Sequence, residues 1–306
     1  MIFFNEYLQG IADVSQVGFS TTSPQYIPEY YLNEGTFIIF RTCHSYGDWV
    51  ILSAMPRLLK QKYPDCTVII PSPECIAKFF SPGTWMNKHE NPFNNVIEVF
   101  ANNPYVDGMI DDIPAGYPIY HDHFRIYDAD KPDTALVQQM LKFWRFADHE
   151  MQDCEPELYW SDDEQTQGNA IIKTLFGKED FGFLYIDDTF LYSIHLEESE
   201  IQRRRNLIQE EINNHDLTWL YFSAGDKFRY KTSGNVIDVK DIKMTLRIQN
   251  YVKSKAKTII GFQGGYGTDC MSRYAQCYVV PLHQNSLNEH IQYKTTYLGE
   301  HVNSNT

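Results

Sequence analysis

Phe262-Gln263-Gly264-Gly265-Tyr266-Gly267-Thr268-Asp269 follows a short apolar run, Thr258-Ile259-Ile260, and leads into Cys270-Met271-Ser272-Arg273-Tyr274-Ala275. The order predicts a strand, a glycine turn and the start of a helix. Glycines let backbone N–H groups approach a ligand closely, and a helix start leaves N–H donors unpaired beside a partial positive charge. Such a unit makes an anion site, most often for phosphate. Its spacing is neither G-x-G-x-x-G nor that of a Walker loop, so it names no ligand, and a tight structural turn accounts for the same residues equally well.

The pattern around this stretch repeats along the chain. Upstream in the second half, Phe181 to Ile186 reads as a strand, Glu197 to Asn213 as a charged helix and Thr218 to Phe222 as a strand ending in the turn Ser223-Ala224-Gly225-Asp226. Val236 to Val239 is a short strand, Leu246 to Ser254 a helix, and Tyr278 to Leu282 a last strand. The first half opens on an irregular lead-in, residues 1–35. Thr36 to Phe40 is then continuously apolar, as a strand buried on both faces of a parallel sheet should be. Asp48 to Tyr63 has helical spacing, with a kink expected at Pro56, and Cys66 to Ile70 returns as a strand. Val96 to Phe100 and Phe124 to Tyr127 read as further strands, a Pro/Asn turn at Asn102 to Pro104 precedes Val106 to Ile110, and Ala135 to Phe146 reads as an amphipathic helix. Composition shifts at Asp153-Cys154-Glu155-Pro156 and Ser161-Asp162-Asp163-Glu164, which predicts domains of residues 1–157 and 158–306, the last residues packing back on the first domain. Strands alternating with helices in both halves predict an α/β fold of two Rossmann-like, doubly wound domains facing across a cleft, with ligands at the carboxyl ends of the strands.

Composition narrows the function. With 43% hydrophobic and 22% charged residues the chain reads as globular. A net charge of −14 argues against broad binding to nucleic acid or anionic lipid, so an anionic ligand must be held by local donors. The six cysteines form no C-x-x-C pair and read as reduced thiols. Met1-Ile2-Phe3-Phe4 meets Asn5 and Glu6 before any signal-peptide core develops, and no apolar run has membrane-spanning length. A cytoplasmic protein with no membrane span is the expectation.

Gly47-Asp48 falls where the loop after the first strand meets its helix. A carboxylate there can cap the helix or act as a general base in the cleft. The run Phe37-Ile38-Ile39-Phe40, Tyr46-Gly47-Asp48-Trp49-Val50, Pro56-Arg57-Leu58-Leu59 and Tyr63-Pro64-Asp65-Cys66 resembles the opening of heptosyltransferase-like glycosyltransferases of family nine. Asn103-Pro104-Tyr105-Val106-Asp107 is similar to the family's Asn-Pro-x-(Val/Ile)-Asp turn, and Asn235-Val236-Ile237-Asp238 to the strand before its penultimate helix. Ala256 to Leu282 is similar to its donor-binding end, and the likeness runs in order from residue 36 to 283.

The resemblance implies a GT-B architecture, with an N-terminal acceptor domain and a C-terminal nucleotide-sugar domain. It implies inverting transfer to a glycan or glycolipid acceptor, with no cofactor and no divalent metal. Asp48 would be the base, and Arg41, His44 and Gly47 would lie on the acceptor side. Gln263, Gly264, Gly265, Tyr266, Gly267, Thr268 and Asp269 would hold the donor diphosphate, with Thr189, Ser223 and Lys227 beside them. The chain departs from the family at two points. Gln263 to Thr268 replaces an Asp-Ser/Gly-Gly-Pro-x-His run, and Ile186-Asp187-Asp188-Thr189-Phe190 lacks the family's glycine and lysine. Lys227 or Lys231 would have to supply that lysine, and the departures point to a divergent member with another nucleotide-sugar.

Other clusters have plainer readings. Asp128-Ala129-Asp130 is a D-x-D that could hold a cation in a metal-dependent transferase, and a solvated acidic loop explains it without one. His121-Asp122-His123 lacks a third ligand at a recognisable spacing. Arg203-Arg204-Arg205, after Glu197, Glu198 and Glu200, reads as a solvated helix face. The replaced family positions also leave open a non-catalytic module that binds nucleotide-sugar or serves assembly.

Overall fold

The computed structural model of the chain describes residues 35–40, 46–78, 92–115, 117, 136–186, 197–223, 229–263, 271–281 and 295–299, with backbone alone at Asp48, Pro92, Leu136, Gln139 and Ser223. These fall into two compact units, the first ending at Tyr159 and the second beginning at Trp160. Among the described residues, no helix is long and apolar enough to cross a membrane.

In the first unit, β1 (Thr36–Ile38), β2 (Thr67–Pro71) and β3 (Gly108–Ile110) form a parallel sheet in that order. Phe37 pairs with Val68 and Ile69 with Gly108. Parallel neighbours need crossovers, and helices supply them. Between β1 and β2 lie α1 (Tyr46–Val50) and α2 (Met55–Lys62); between β2 and β3 lie α3 (Pro73–Ala77) and α4 (Asn95–Phe100). Helix α5 (Leu136–Phe143) follows. The Phe37 ring stacks on Tyr63 at 5.0 Å and meets the edge of Trp144 at 5.7 Å, so β1, α2 and the end of α5 share one aromatic core.

Two expectations for this unit are corrected. The helix expected from Asp48 to Tyr63 is two helices, because proline has no N–H to give and is tolerated only in a first turn. Pro56 accordingly sits in the first turn of α2, and residues 51–54 form a turn in which Leu52 and Ser53 donate to Trp49 and Val50 carbonyls three residues back. Val96 to Phe100, read as a strand from its β-branched residues, is helical. Val96, Val99 and Phe100 are buried while Ile97 is 39% exposed, a helical stripe that overrides strand propensity. The stretch Phe124 to Tyr127 lies outside the described residues.

The second unit opens with α6 (Asp162–Phe176), then β4 (Phe181–Ile186), α7 (Glu198–Asn213), β5 (Thr218–Ser223), β6 (Val236–Asp238), α8 (Leu246–Ser254), β7 (Thr258–Phe262), β8 (Gln276–Val280) and β9 (Thr295–Tyr297). Its six strands are parallel in the order β6-β5-β4-β7-β8-β9. That is the 3-2-1-4-5-6 order of a dinucleotide-binding sheet, whose topology reverses between β4 and β7. Alternate residues of β4 face opposite layers. Leu184 and Ile186 join Ile201, Ile208 and Ile212 of α7, whereas Phe183 lies under the fully buried Lys253 of α8, its Nζ 5.3 Å from the ring. Helices on both faces make the sheet doubly wound.

Gly182 lets this sheet close. A Cβ there would fall 2.3 Å from the ring of Trp219, which lies fully buried across β4. Ser161 to Glu164, read as a compositional boundary, is a capping box. The Ser161 hydroxyl accepts from Glu164 N–H and the Glu164 carboxylate accepts from Ser161 N–H. The expected solvated arginine face is also only partly so. Arg203 is half exposed, but the Arg204 and Arg205 side chains are 12% and 11% exposed, and Arg204 donates to Pro281 O at 2.6 Å.

Candidate functional site

At a topological switch point the loops leaving two neighbouring strands diverge to opposite faces and open a crevice outside the strands' carboxyl ends. Here those strands are β4 and β7. The register aligns their ends, with Tyr185 opposite Gly261, Ile186 opposite Ser223, and Phe262 opposite Val280. The expected donor residues therefore leave from neighbouring strand ends: Ser223 closes β5, Thr189 lies three residues beyond β4, and the glycine stretch follows β7 directly. Thr189, Lys227 and Gly264 to Asp269 themselves lie outside the described residues.

What is described constrains how an anion could be met. Strand β7 runs two residues further than expected, through Gly261 and Phe262. A Cβ at Gly261 would lie 2.0 Å from Tyr185 O, so glycine is what lets β4 and β7 approach at the switch point. Gln263 is bedded in the sheet edge, 5% exposed, and its N–H donates to Val280 O at 3.0 Å. That donor is spent on the sheet. The helix expected at Cys270 to Ala275 is, over its described part, a single turn in which Tyr274 and Ala275 both donate to Met271 O.

Among the described residues, the next helix after β4 is α7. Glu198 and Glu200 occupy the first turn of α7, where negative charge opposes a bound phosphate. Glu200 is held as carboxylate, down to about 2, by its hydrogen bond to Arg203 and, against its burial, a second bond to Arg204. Of the two lysines considered for the phosphates, Lys231 is placed away from the strand ends. Its backbone exchanges hydrogen bonds with the Gln209 side chain, in the last third of α7.

In the first unit, α1 carries Gly47, half-buried, and Asp48 as its third residue, two positions inside the helix rather than at its cap. Trp49 and Val50 are fully buried, and the Trp49 ring meets the edge of Phe100 at 6.4 Å. Arg41 and His44 lie outside the described residues. The Asn103-to-Asp107 motif is structural. The Asn103 side chain accepts from Tyr105 N–H and donates to Ser53 O, and Asp107 accepts from Val68 N–H and pairs with Lys60 at 2.6 Å. Burial raises the Asp107 carboxyl, but Lys60 and the Val68 N–H outweigh it and hold it below its ordinary value.

Sequence reading missed a buried polar cluster beside α1. Arg57 donates through Nε to both Glu157 oxygens, at 2.9 and 3.2 Å, and through Nη2 to Asp153 O at 2.7 Å. Glu157 also accepts from Tyr159 OH at 2.9 Å. Burial, then the neighbouring carboxylate, raises the Tyr159 phenol, which keeps it a donor. Cys75 and Cys154 are buried thiols raised mainly by that burial to about 11 and about 12, and so are unreactive. Among the described residues no His, Cys, Asp and Glu side chains are grouped to hold a metal ion. Asp128, Asp130, His121 and His123 lie outside them.

No family model matches the chain and no curated protein matches it. Among solved structures it is similar to a glycosyl transferase family 9 protein of Veillonella parvula DSM 2008, at 10% identity over 86% of this chain and 85% of that one, TM-score 0.52. The chain shares that fold. It is also similar to the ADP-heptose LPS heptosyltransferase II of E. coli, at 11% identity over 86% of this chain and 89% of that one, TM-score 0.48. The family-nine fold is thus carried by a sequence of which nine residues in ten differ from the first of these.

Proposed function

We propose that this protein is a glycosyltransferase that moves a sugar from a nucleotide-sugar to a hydroxyl of a glycan or glycolipid, with inversion and without a metal. The observation that carries the reading is the glycine stretch at the switch-point strand β7 of a 3-2-1-4-5-6 sheet, in a chain that shares its fold with a family 9 glycosyl transferase.

In this reading the amides of residues 264–269 receive the diphosphate, with Ser223, Thr189 and Lys227 on the neighbouring strand ends. The acceptor hydroxyl loses its proton to the Asp48 carboxylate as its oxygen bonds to the anomeric carbon. The bond from that carbon to the phosphate oxygen breaks, and the electron pair leaves on the nucleoside diphosphate. Fixed amide dipoles aimed at the leaving oxygens stabilise the charge as it develops. A net charge of −14 suits this arrangement, since recognition rests on local dipoles rather than a basic surface.

The test pairs transfer with binding. Asp48→Ala should abolish transfer, assayed with a panel of nucleotide-sugars and glycan acceptors, while calorimetry shows nucleotide binding nearly unchanged. Full transfer by that variant would remove Asp48 as the base. Binding of nucleotide-sugar with no transfer by the wild-type chain would favour a binding module, and transfer lost to EDTA would favour a metal-dependent reaction through Asp128 and Asp130.

A further inference from the structure

Helix α1 is five residues long, too short to hold its own geometry, so whatever positions Asp48 must come from its neighbours. Among the described residues, one neighbour is Phe100, the partner of Trp49, and another is Ser53, fully buried in the turn between α1 and α2. Its hydroxyl donates to Val50 O, the last carbonyl of α1, at 2.7 Å, and accepts from Glu157 N–H at 2.8 Å. Its carbonyl accepts from Asn103 Nδ2 at 3.4 Å. The Glu157 carboxylate in turn holds Arg57 on α2. The end of α1, the start of α2 and the segment 153–159 thus close one buried ring through a single serine.

We infer that Ser53, Glu157 and Arg57 form a positioning device for Asp48, fixing α1 relative to α2 through the last segment of the first unit. The inference rests on the proposed role of Asp48 as base. A hydroxyl that both gives and receives has no rotational freedom left, so Ser53 transmits the position of Glu157 to Val50. A misplacement of about 1 Å in a reacting group costs on the order of a hundredfold in rate. Ser53→Ala leaves the Glu157 N–H without its acceptor and uncouples Glu157 from Val50 O, which keeps only the Ser53 N–H.

The test measures transfer at saturating donor and acceptor together with the folded fraction by circular dichroism. Ser53→Ala should lower kcat at least tenfold, leave the KM for nucleotide-sugar within twofold, and cause no further loss when added to Asp48→Asn. Ser53→Cys keeps the side-chain volume but is a poor donor and acceptor, and should show the same split. Wild-type kcat in both variants, or a loss that simply multiplies that of Asp48→Asn, would overturn the positioning role. So would failure of both variants to fold, since Ser53 would then serve folding alone. If Asp48→Asn is itself fully active, the base assignment has failed instead, which separates the two outcomes.

Discussion

Replacing Gly261 by alanine tests the switch point where the proposed donor site begins. The added Cβ would lie 2.0 Å from Tyr185 O, 2.8 Å from its carbonyl carbon and 3.1 Å from its Cβ. Carbon and oxygen approach no closer than about 3.3 Å even in the favourable contacts between strands. The two backbones must therefore separate by about 1.3 Å, and neither can swing aside as a flexible side chain would. Each ladder hydrogen bond contributes about 1 kcal/mol net, and overpacking a tight interior costs about 1–3 kcal/mol. Losing two β4–β7 bonds while opening the core beneath them comes to about 3–5 kcal/mol. Single-domain stabilities are about 5–15 kcal/mol, so this is a large share for the second unit. The corresponding fall in Tm is roughly 6–20 °C for a unit of this size. Differential scanning fluorimetry reads the shift, and calorimetry with nucleotide-sugar should show binding lost, because the strand that presents residues 264–269 is displaced. A variant melting within 2 °C of wild type, with binding intact, would refute the close-approach reading of Gly261.

The buried pair Arg57–Glu157 supports a second prediction. Arg57→Met leaves Glu157, 7% exposed, without its guanidinium, and should cost about 3–5 kcal/mol in urea unfolding, much of it recovered in Arg57→Met/Glu157→Leu; equal losses in both would contradict the pairing. Glu200 gives a pH signature. Its folded carboxyl is depressed to about 2, so it stabilises the fold above its unfolded value and loses that contribution as pH falls toward 2. Glu200→Gln should be less stable than wild type at pH 7 and converge with it near pH 2, and curves that stay parallel across that range would exclude the linkage.

The elements were largely legible because periodicity and punctuation agree in them. Leu246 to Ser254 is the helix read from its apolar spacing, with Thr245 capping Ile248 N–H. Phe181 to Ile186 is the strand read from its continuous apolar run, and every residue in it is buried. One misreading is a local signal overruled by what it packs against. The Val96–Phe100 segment carries strand-like residues but must put Val96, Val99 and Phe100 on one side, where the Phe100 edge meets Trp49. Nothing in Cys154-Glu155-Pro156-Glu157 announces that Glu157 is buried, because its partners Arg57 and Ser53 lie about a hundred positions away. Strand order is also beyond periodicity. The sequence predicts alternation, but that β4 lies between β5 and β7 follows only from the pairing.

That order changes what the glycine stretch can do. From sequence, its anion-binding capacity divides between glycine amides and a helix start. The Gln263 N–H is committed to Val280, and the described residues after Cys270 make one turn. The remaining donors belong to residues 264–269, and three of those six are glycine. Recognition in the proposed reaction then rests on these amides. Gly265→Pro, which removes one amide and fixes its φ, should weaken nucleotide-sugar binding at least tenfold while leaving the melting temperature of the unliganded protein close to wild type. Unchanged affinity in calorimetry would place the diphosphate elsewhere and return the glycines to the role of a tight turn.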